Sequence, residues 1–298
     1  ANASQQKTYG AADPSPLGYT VTSGSLLTGV PLNGTLSRTP GEKVGPYAIL
    51  QNDLTQVNNL NYVITYAGAN FTINKKVLTV TGLTANNRAY NGNTTATFTG
   101  TAVLSGLVVG DNVTLGGTPA GTFADEHVAN AITVTVAGSE ISGTAIDNYS
   151  FTQHANLTAN ITAKALTVSG ITANSRVYDS TATAALNTGS AALVGVVSGD
   201  TVSLNTSSAA GVFADKNVGT GKAVTISGLT IGGTDVANYS LTQPTTTANI
   251  TARAITVRAI NNSKTYDGTT SSTGTPTITS GSLASGDSVT WTQTFDTK

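Results

Sequence analysis

The chain repeats itself with a period of 88 residues, and this feature limits its fold more than any other. Tyr90, Tyr178 and Tyr266 recur at that spacing, and each follows a similar block of alternating polar and apolar residues. A period of this size indicates tandem structural units in which each unit contacts mainly its neighbours. We therefore expect an array of small repeated domains in place of one large core.

Short alternating runs and frequent glycines predict that each unit is built from strands. Leu78-Thr-Val-Thr and Leu166-Thr-Val-Ser alternate apolar with polar residues, and the chain contains 32 glycines. Such a composition favours short strands and turns over helices. We predict an all-β, mostly β fold of tandem antiparallel β-sandwich-like or β-grasp-like repeat domains in an elongated rod.

The repeated blocks also place the domain boundaries. Ala159-Asn-Ile-Thr162 recurs as Ala248-Asn-Ile-Thr251 and closes each full unit. The predicted domains are 1–76, 77–163 and 164–252, followed by a partial repeat at 253–298. Because the chain begins at Ala1 without an initiator methionine or an apolar signal core, we expect it to be a processed or excised piece of something longer.

Charge and cysteine content exclude several functions. Only 10% of the residues are charged and the formal net charge is -1, so we expect no nucleic-acid partner. No apolar run approaches the roughly 20 residues of a membrane-spanning helix, so we expect no membrane insertion of this segment. The absence of cysteine excludes disulfides and thiolate metal sites, and it is compatible with secretion.

The motifs resemble two related families of bacterial surface repeats. Residues 1–76 resemble the MBG ("mostly β-grasp") domain through Lys7-Thr8-Tyr9-Gly10, Asp13-Pro14 and the stretch from Gly41 to Tyr47. The remainder resembles the YDG domain through its Tyr-Asp-Gly turn and an Asn-Tyr-Ser before the last strand. Only Tyr266-Asp267-Gly268 is the full triplet, since the other turns read Tyr-Asn-Gly and Tyr-Asp-Ser.

This resemblance implies a location and a set of partners. Such repeats form the shafts of filamentous-haemagglutinin-like, two-partner-secretion adhesins, which are secreted to the bacterial cell surface or the extracellular biofilm matrix. The implied partners are neighbouring repeats of the same chain and, through the parent protein, an exopolysaccharide or a host or neighbouring cell surface.

The residues that recur with the repeats are interpreted as structural. An Asn or Asp followed by Gly is typical of a turn, so we read the Tyr-Asn/Asp-Gly/Ser segments as turns, with ligand contact as the alternative. Two phenylalanines flanked by small residues are interpreted as core anchors. The structural repeat positions are Tyr9, Tyr90, Tyr178, Tyr266, Phe123, Phe213, Tyr149 and Tyr239.

A cation stands two residues before each turn tyrosine. Lys7, Arg88, Arg176 and Lys264 share a strand face with that tyrosine, so we predict that each cation lies against its ring. An amide crosslink from the lysine is the alternative, although arginine cannot form one. Tyr47, Tyr62, Tyr149 and Tyr239 are expected to tie a loop to a strand through their hydroxyls, as a tyrosine corner does.

The search for catalytic chemistry predicts that the chain is not an enzyme. His127 and His154 are isolated, and no nucleophile elbow, phosphate-binding loop or zinc-helix motif occurs. We predict no cofactor. Calcium is the metal alternative, with Asp125, Glu126 and Asp215 as carboxylates on separate turns.

The sequence therefore predicts a structural stalk segment of a large bacterial adhesin, which spaces or projects a binding region. The alternative is a carbohydrate- or exopolysaccharide-binding module, in which exposed aromatic rings stack on sugars. Its candidate ligand-binding residues are the aromatics outside the repeated blocks: Trp291, Phe98, Tyr19 and Tyr66.

Overall fold

The computed structural model describes residues 1–297. Almost all of its regular structure is β-strand, which confirms the predicted all-β class. Three short 3-10 helices cover Gln56–Asn58, Ile146–Asn148 and Val236–Asn238. Within residues 1–297, no helix is long and apolar enough to cross a membrane.

Contacts between residues divide the chain into two compact units. The first contains residues 1–88 and 93–161, and the second contains residues 89–92 and the chain from 162 onward. The short segment 89–92, which carries the turn of Tyr90, therefore clusters with the repeat that follows it in sequence.

Residues 1–76 form a four-stranded sheet in the first unit. Its strands are β1 (Gln5–Thr8), β2 (Ser37–Arg38), β3 (Gly45–Leu50) and β4 (Asn70–Asn74). They lie in the order β1-β4-β3-β2, with β1 parallel to β4 and the other pairs antiparallel. Alternate residues of β4 face the core, where Phe71 and Ile73 are fully buried.

The rest of the first unit contains two sheets. Its strands are β5 (Lys76–Ala85), β6 (Arg88–Ala89), β7 (Thr95–Ala96), β8 (Phe98–Ser105), β9 (Thr114–Phe123), β10 (Ala129–Ser142), β11 (Tyr149–Thr152) and β12 (Leu157–Thr162). One sheet has the order β6-β12-β10-β9-β7 and the other the order β11-β5-β8. Lys75 alone separates β4 from β5, so the junction between the two domains has almost no slack.

The second unit repeats this arrangement with shorter strands. They are β13 (Lys164–Ser169), β14 (Thr172–Ala173), β15 (Arg176–Val177), β16 (Thr183–Ala184), β17 (Leu186–Asn187), β18 (Ala192–Val194), β19 (Ser203–Asn205), β20 (Ala210–Phe213), β21 (Gly219–Ser227), β22 (Thr230–Gly232), β23 (Tyr239–Leu241), β24 (Thr245–Thr251), β25 (Thr256–Arg258) and β26 (Thr277–Ser280). The five-stranded sheet has the order β15-β24-β21-β20-β16, which matches the first repeat.

Strand pairing is mainly antiparallel, as predicted, but each complete domain also contains at least one parallel pair. In both complete repeats the first long strand lies parallel to the strand that begins with the Asn-Tyr-Ser tyrosine, so β5 pairs with β11 and β13 with β23. β15 also pairs with the closing strand β24 in parallel. The sequence did not predict these pairs, because alternation defines a buried face and leaves strand direction open.

Candidate functional site

The repeated residues meet where one domain adjoins the next, and the first such junction lies inside the first unit. Tyr9, directly after β1, donates a hydrogen bond from its hydroxyl to Asp111 Oδ1 at 3.0 Å. Its ring meets that of Tyr149 edge-on, with the ring centroids 5.4 Å apart. The Tyr149 hydroxyl bonds the other carboxylate oxygen of Asp111. One carboxylate therefore joins a tyrosine of residues 1–76 to a tyrosine of the following domain.

The second unit contains the same arrangement one period later. The rings of Tyr90 and Tyr239 meet edge-on at 5.5 Å, with the same interplanar angle of 79° as in the first pair. The Tyr239 hydroxyl donates to Asp200 Oδ2 at 2.5 Å. Both rings are buried, with Tyr90 3% and Tyr239 7% exposed. The aromatic pair and the aspartate thus recur together as one structural element.

A third turn docks in the same way further along the second unit. The Tyr178 hydroxyl donates to Asp287 Oδ1 at 3.1 Å, and Ser180 Oγ donates to the carbonyl of Ser285 at 2.6 Å. Among residues 1–297, no second tyrosine reaches Asp287. We call the segments at Tyr9, Tyr90, Tyr178 and Tyr266 the tyrosine turns, and the loops Val108–Asp111, Val197–Asp200 and Ala284–Asp287 the acceptor loops.

The first two acceptor loops are each held in place by a tyrosine of their own domain. The backbone N–H of Val108 donates to the Tyr149 hydroxyl at 3.0 Å, and that of Val197 donates to the Tyr239 hydroxyl at 2.9 Å. These hydroxyls tie a loop to a strand, which is the tyrosine-corner role expected of them. Tyr47 has the same role, since its hydroxyl donates to the Lys43 carbonyl at 2.7 Å.

Glycine is favoured in the first two tyrosine turns for two separate reasons. Gly10 and Gly92 adopt φ of 78° and 73°, in the left-handed region that disfavours other residues. A Cβ at Gly10 would lie 2.6 Å from Val108 Cγ2, and one at Gly92 would lie 2.8 Å from Val197 Cγ1. The turn backbone therefore packs directly against the valine of the acceptor loop.

The third junction shows a compensating change in size. Ser180 occupies the glycine position with φ of 67°, and the residue of its acceptor loop at the valine position is Ala284. A larger residue in the turn thus coincides with a smaller one in the loop. This complementarity is expected of packed surfaces, because a close-packed interface tolerates little change in summed volume.

At three of the four turns the cation before the tyrosine lies over a phenylalanine, which corrects the prediction that it lies against the tyrosine. The guanidinium of Arg88 is 5.0 Å from the ring centroid of Phe123, and that of Arg176 is 5.3 Å from Phe213. Lys264 Nζ lies 5.7 Å from the ring of Phe295. Phe123 and Phe213 are 1% and 2% exposed. Sequence spacing defined the strand face, but the ring that covers Arg88 or Arg176 lies on a strand that is not its neighbour in the sheet.

In residues 1–76 the cation belongs to an ionic cluster. Lys7 Nζ lies 2.7 Å from Asp13 Oδ1 and also bonds Glu42, while Arg38 Nε lies 2.6 Å from Asp13 Oδ2. Both cationic side chains are buried, at 5% and 7% exposure. The guanidinium of Arg38 also lies 5.3 Å from the ring centroid of Phe71.

The charges of this cluster oppose the crosslink alternative. The hydrogen bond from Arg38, followed by that from Lys7, lowers the pKa of Asp13. Burial acts to lower the pKa of Lys7, but its hydrogen bonds to Asp13 and Glu42 raise it overall. Amide formation needs a neutral amine and a protonated carboxyl group. Both shifts favour the charged forms, so the geometry is that of a salt bridge.

The junction tyrosines are held in their protonated form. Burial, with the hydrogen bond to Asp111 as the second cause, raises the pKa of Tyr149 to about 12. The same two causes raise the pKa of Tyr9, and burial with the hydrogen bond to Asp200 raises that of Tyr239. These hydroxyls therefore remain hydrogen-bond donors well above neutral pH.

The candidate ligand-binding aromatics do not form one site. Tyr19 and Tyr66 lie together on a cavity of about 330 Å³ in residues 1–76, where the Tyr66 hydroxyl donates to the Ile49 carbonyl at 2.7 Å. Phe98 begins β8 and covers Gly121 on β9. Trp291 is half-buried outside the named strands of the second unit. Two of the four residues are thus brought together, and the other two lie apart from them.

The candidate metal ligands are also separate. His127 Nδ1 pairs with Asp125 at 2.6 Å, and Lys222 pairs with Asp215 at 2.6 Å. Across residues 1–297, no group of three or more histidine, aspartate or glutamate side chains is placed to hold a metal ion. His154 is half-buried and its Nδ1 lies 2.8 Å from the carbonyl oxygen of Ala155.

Sequence reasoning missed the role of the acceptor loops. Asp111, Asp200 and Asp287 each follow a glycine in a block that recurs along the sequence, but the sequence does not indicate their partners. The available signal was that this aspartate and the turn tyrosine recur together in every repeat. Their sequence separation, which is more than 100 residues for Tyr9 and Asp111, hid the pairing.

Comparison with protein families finds two kinds of domain along the chain. The model described as "YDG domain" matches residues 74–157 and 162–248, which together exceed half of the chain. The model described as "MBG domain (YGX type)" matches residues 1–72. No curated protein matches the chain. These family matches confirm the resemblance predicted from the sequence motifs.

Proposed function

Because the chain belongs to the YDG domain family and carries an MBG domain ahead of its YDG domains, we propose that it is a structural stalk segment of a large bacterial adhesin. The parent protein would be secreted to the cell surface or the biofilm matrix. There it would contact an exopolysaccharide or a neighbouring cell through a region that this segment spaces away from its anchor. In this proposal the segment is not an enzyme and needs no cofactor.

The observation that carries the proposal is the recurrence of the tyrosine turn in its acceptor loop. At Tyr9 and Asp111, and again at Tyr178 and Asp287, a hydroxyl of one domain bonds a carboxylate of the following one. A catalytic or binding site would break the repeat symmetry, whereas these contacts follow it. Residues that recur in order to join neighbours are typical of repeat proteins.

The strand order also suits a chain under tension. β1 opens its domain and β4 closes it, and the two strands are parallel neighbours. Tension applied to the two ends of that domain would therefore shear several ladder hydrogen bonds together. In the second complete YDG domain the opening strand β13 is parallel to β23, and the closing strand β24 is parallel to β15. Breaking bonds together requires more force than opening them one at a time.

Single-molecule pulling of the full chain tests this proposal. We expect separate rupture events, with about 300 Å of chain released per YDG domain on the estimate of roughly 3.6 Å per residue. Phe213→Asp, which places a charge in one core, should remove one of the YDG events and leave the other. A chain that extends smoothly without rupture events would contradict a load-bearing role.

The second candidate function is sugar binding by the MBG domain. Tyr19 and Tyr66 line the same cavity, and aromatic rings are common in carbohydrate sites. Calorimetric titration with soluble exopolysaccharides tests it. Binding that is lost in Tyr19→Ala but kept in Trp291→Ala would favour this function. Equal binding by both variants, or no binding, would reject the cavity as the sugar site.

A further inference from the structure

The first tyrosine pair brings the hydroxyl ends of two phenol rings together. The hydroxyls of Tyr9 and Tyr149 bond the two oxygens of the Asp111 carboxylate, and the ring centroids are 5.4 Å apart. Because both hydroxyls meet one small group, the ring carbons next to them also converge. These ortho carbons, the Cε atoms, are where two tyrosyl radicals form a carbon–carbon bond. The pair therefore holds its coupling positions close together.

The second pair repeats this geometry in a more protected place. The rings of Tyr90 and Tyr239 meet at the same angle of 79°, with their centroids 5.5 Å apart. Both of these rings are buried, whereas Tyr9 in the first pair is half-buried. An oxidant in solution therefore comes closer to the first pair than to the second.

The surroundings of the first pair also supply a proton acceptor. Burial and the hydrogen bond to Asp111 raise the pKa of Tyr149 to about 12, and the same two causes raise the pKa of Tyr9. Both phenols are consequently protonated at neutral pH, so one-electron oxidation to the neutral radical must also remove the hydroxyl proton. A carboxylate within hydrogen-bond distance can accept that proton, as a general base does.

We propose that each tyrosine pair is an oxidative crosslinking site, at which one-electron oxidants join two neighbouring domains through a dityrosine bond. Each phenol loses one electron and its hydroxyl proton, and one Cε carbon of each ring then forms the new bond. The hydrogen on each bonded carbon moves to the oxygen and restores the hydroxyl. Hydrogen peroxide, activated to one-electron oxidants, takes up the two electrons and two protons and leaves as two molecules of water.

A dityrosine bond changes which residues tension can unfold. A bond between Tyr9 and Tyr149 encloses about 140 residues, among them most of the first YDG domain. Tension then passes through the bond and the enclosed chain bears no load, which withholds about 500 Å of extension on the estimate of roughly 3.6 Å per residue. This consequence rests on the stalk function proposed above, whereas the crosslink itself does not.

Photo-oxidation of the dilute full-length chain tests the proposal, with a ruthenium photosensitiser as the one-electron oxidant and persulfate as the final electron acceptor. Proteolysis and mass spectrometry identify the joined peptides. We expect a crosslink between Tyr9 and Tyr149 within one molecule, and a slower one between Tyr90 and Tyr239. Tyr178 is the internal control, because among residues 1–297 no second tyrosine reaches its acceptor Asp287, and it should join no tyrosine of the same molecule.

A variant and an unfolded sample sharpen the result. Tyr149→Phe keeps the ring but removes one phenol, so it should lose the Tyr9 crosslink and keep the one between Tyr90 and Tyr239. Oxidation in denaturant should remove the preference for the two pairs. Products that join mainly Tyr178 or the exposed Tyr266, with none at either pair, would overturn the proposal. The result does not depend on whether the chain bears load.

Discussion

Tyr90 and Tyr266 occupy the same place in the repeat, yet one is 3% exposed and the other 81%. Their turns share a left-handed residue two positions later, with φ of 73° at Gly92 and 72° at Gly268. The two turns differ in the residues that pack against them. Tyr90 meets the ring of Tyr239, and Gly92 meets Val197, whereas Gly268 has no neighbour within 4 Å of a Cβ.

This comparison separates two properties of the tyrosine turn. The backbone conformation is local, because it forms with or without a covering loop. Burial of the tyrosine comes from the acceptor loop of the following repeat. The turn is therefore a docking element as well as a reversal of the chain, and its contribution to stability depends on a neighbour.

The largest expected difference follows truncation of the two tyrosines in the full chain. Tyr90→Ala removes a buried ring and should lower the opening free energy of the Val197 amide by about 3–5 kcal/mol. Tyr266→Ala removes an exposed ring and should change stability by less than about 0.5 kcal/mol. Native-state hydrogen exchange measures both values. Similar losses in the two variants would mean that the turn stabilises only its own domain.

A smaller difference is expected between two acceptor aspartates. Asp111→Ala leaves the hydroxyls of Tyr9 and Tyr149 without their acceptor and should cost about 1–3 kcal/mol. Asp287→Ala affects only the half-buried Tyr178 and should cost less. Asp111→Asn, which retains one acceptor oxygen, should lie between wild type and Asp111→Ala. If chemical unfolding shows a larger loss of stability for Asp287→Ala than for Asp111→Ala, the bridging role of Asp111 is contradicted.

High pH should weaken the first junction. The pKa of Tyr149 is raised from 10.0 to about 12 by burial and by its bond to Asp111. A raised pKa in the folded state gives stability that is complete below pH 10 and lost as the pH rises towards 12. Exchange of the Val108 amide, after correction for its intrinsic rate, should accelerate over that interval. Tyr149→Phe should reduce this pH dependence, and an unchanged pH dependence in Tyr149→Phe would assign it to another group.

The smallest difference concerns the turn glycines. Gly92→Ala incurs left-handed strain and also a close contact with Val197 Cγ1, whereas Gly268→Ala incurs the strain alone. In both variants the strain should lower the free energy of unfolding by about 1–2 kcal/mol. The decrease should be somewhat larger for Gly92→Ala, because the added Cβ meets Val197; a movement of Val197 would reduce this excess. Adding Val197→Ala should recover the excess, as the pair Ser180 and Ala284 suggests. Equal losses for Gly92→Ala and Gly268→Ala would indicate a loosely packed junction.

The all-β class and the two families could be predicted because they depend on local patterns. Alternation predicted that Leu78 and Leu166 lie on the apolar face of their strands, and both are 0% exposed. The Tyr-x-Gly spacing predicted a turn, and Gly10, Gly92 and Gly268 adopt the left-handed conformation that such a turn uses. These features arise within a few residues, so one sequence is sufficient to read them.

The docking of the turns could not be predicted in the same way. Whether Tyr9 contacts Asp111 or a ligand depends on which surfaces the fold brings together across about 100 residues. The incorrect prediction for the position of the cation has the same cause. Strand spacing gave the face of Arg88, but the ring it covers, Phe123, belongs to another strand. To predict which distant segments pair, one must know the strand order, and alternation alone does not specify it.

Chemical nitration of the native full chain, read by mass spectrometry for each tyrosine, tests the central claim most directly. If the turn tyrosine is buried by the following repeat, Tyr266 reacts rapidly while Tyr90 and Tyr149, each 3% exposed, are protected until the chain unfolds. Equal reaction of Tyr90 and Tyr266 in the native protein would show that the turns do not dock, and the account of the junctions would be wrong.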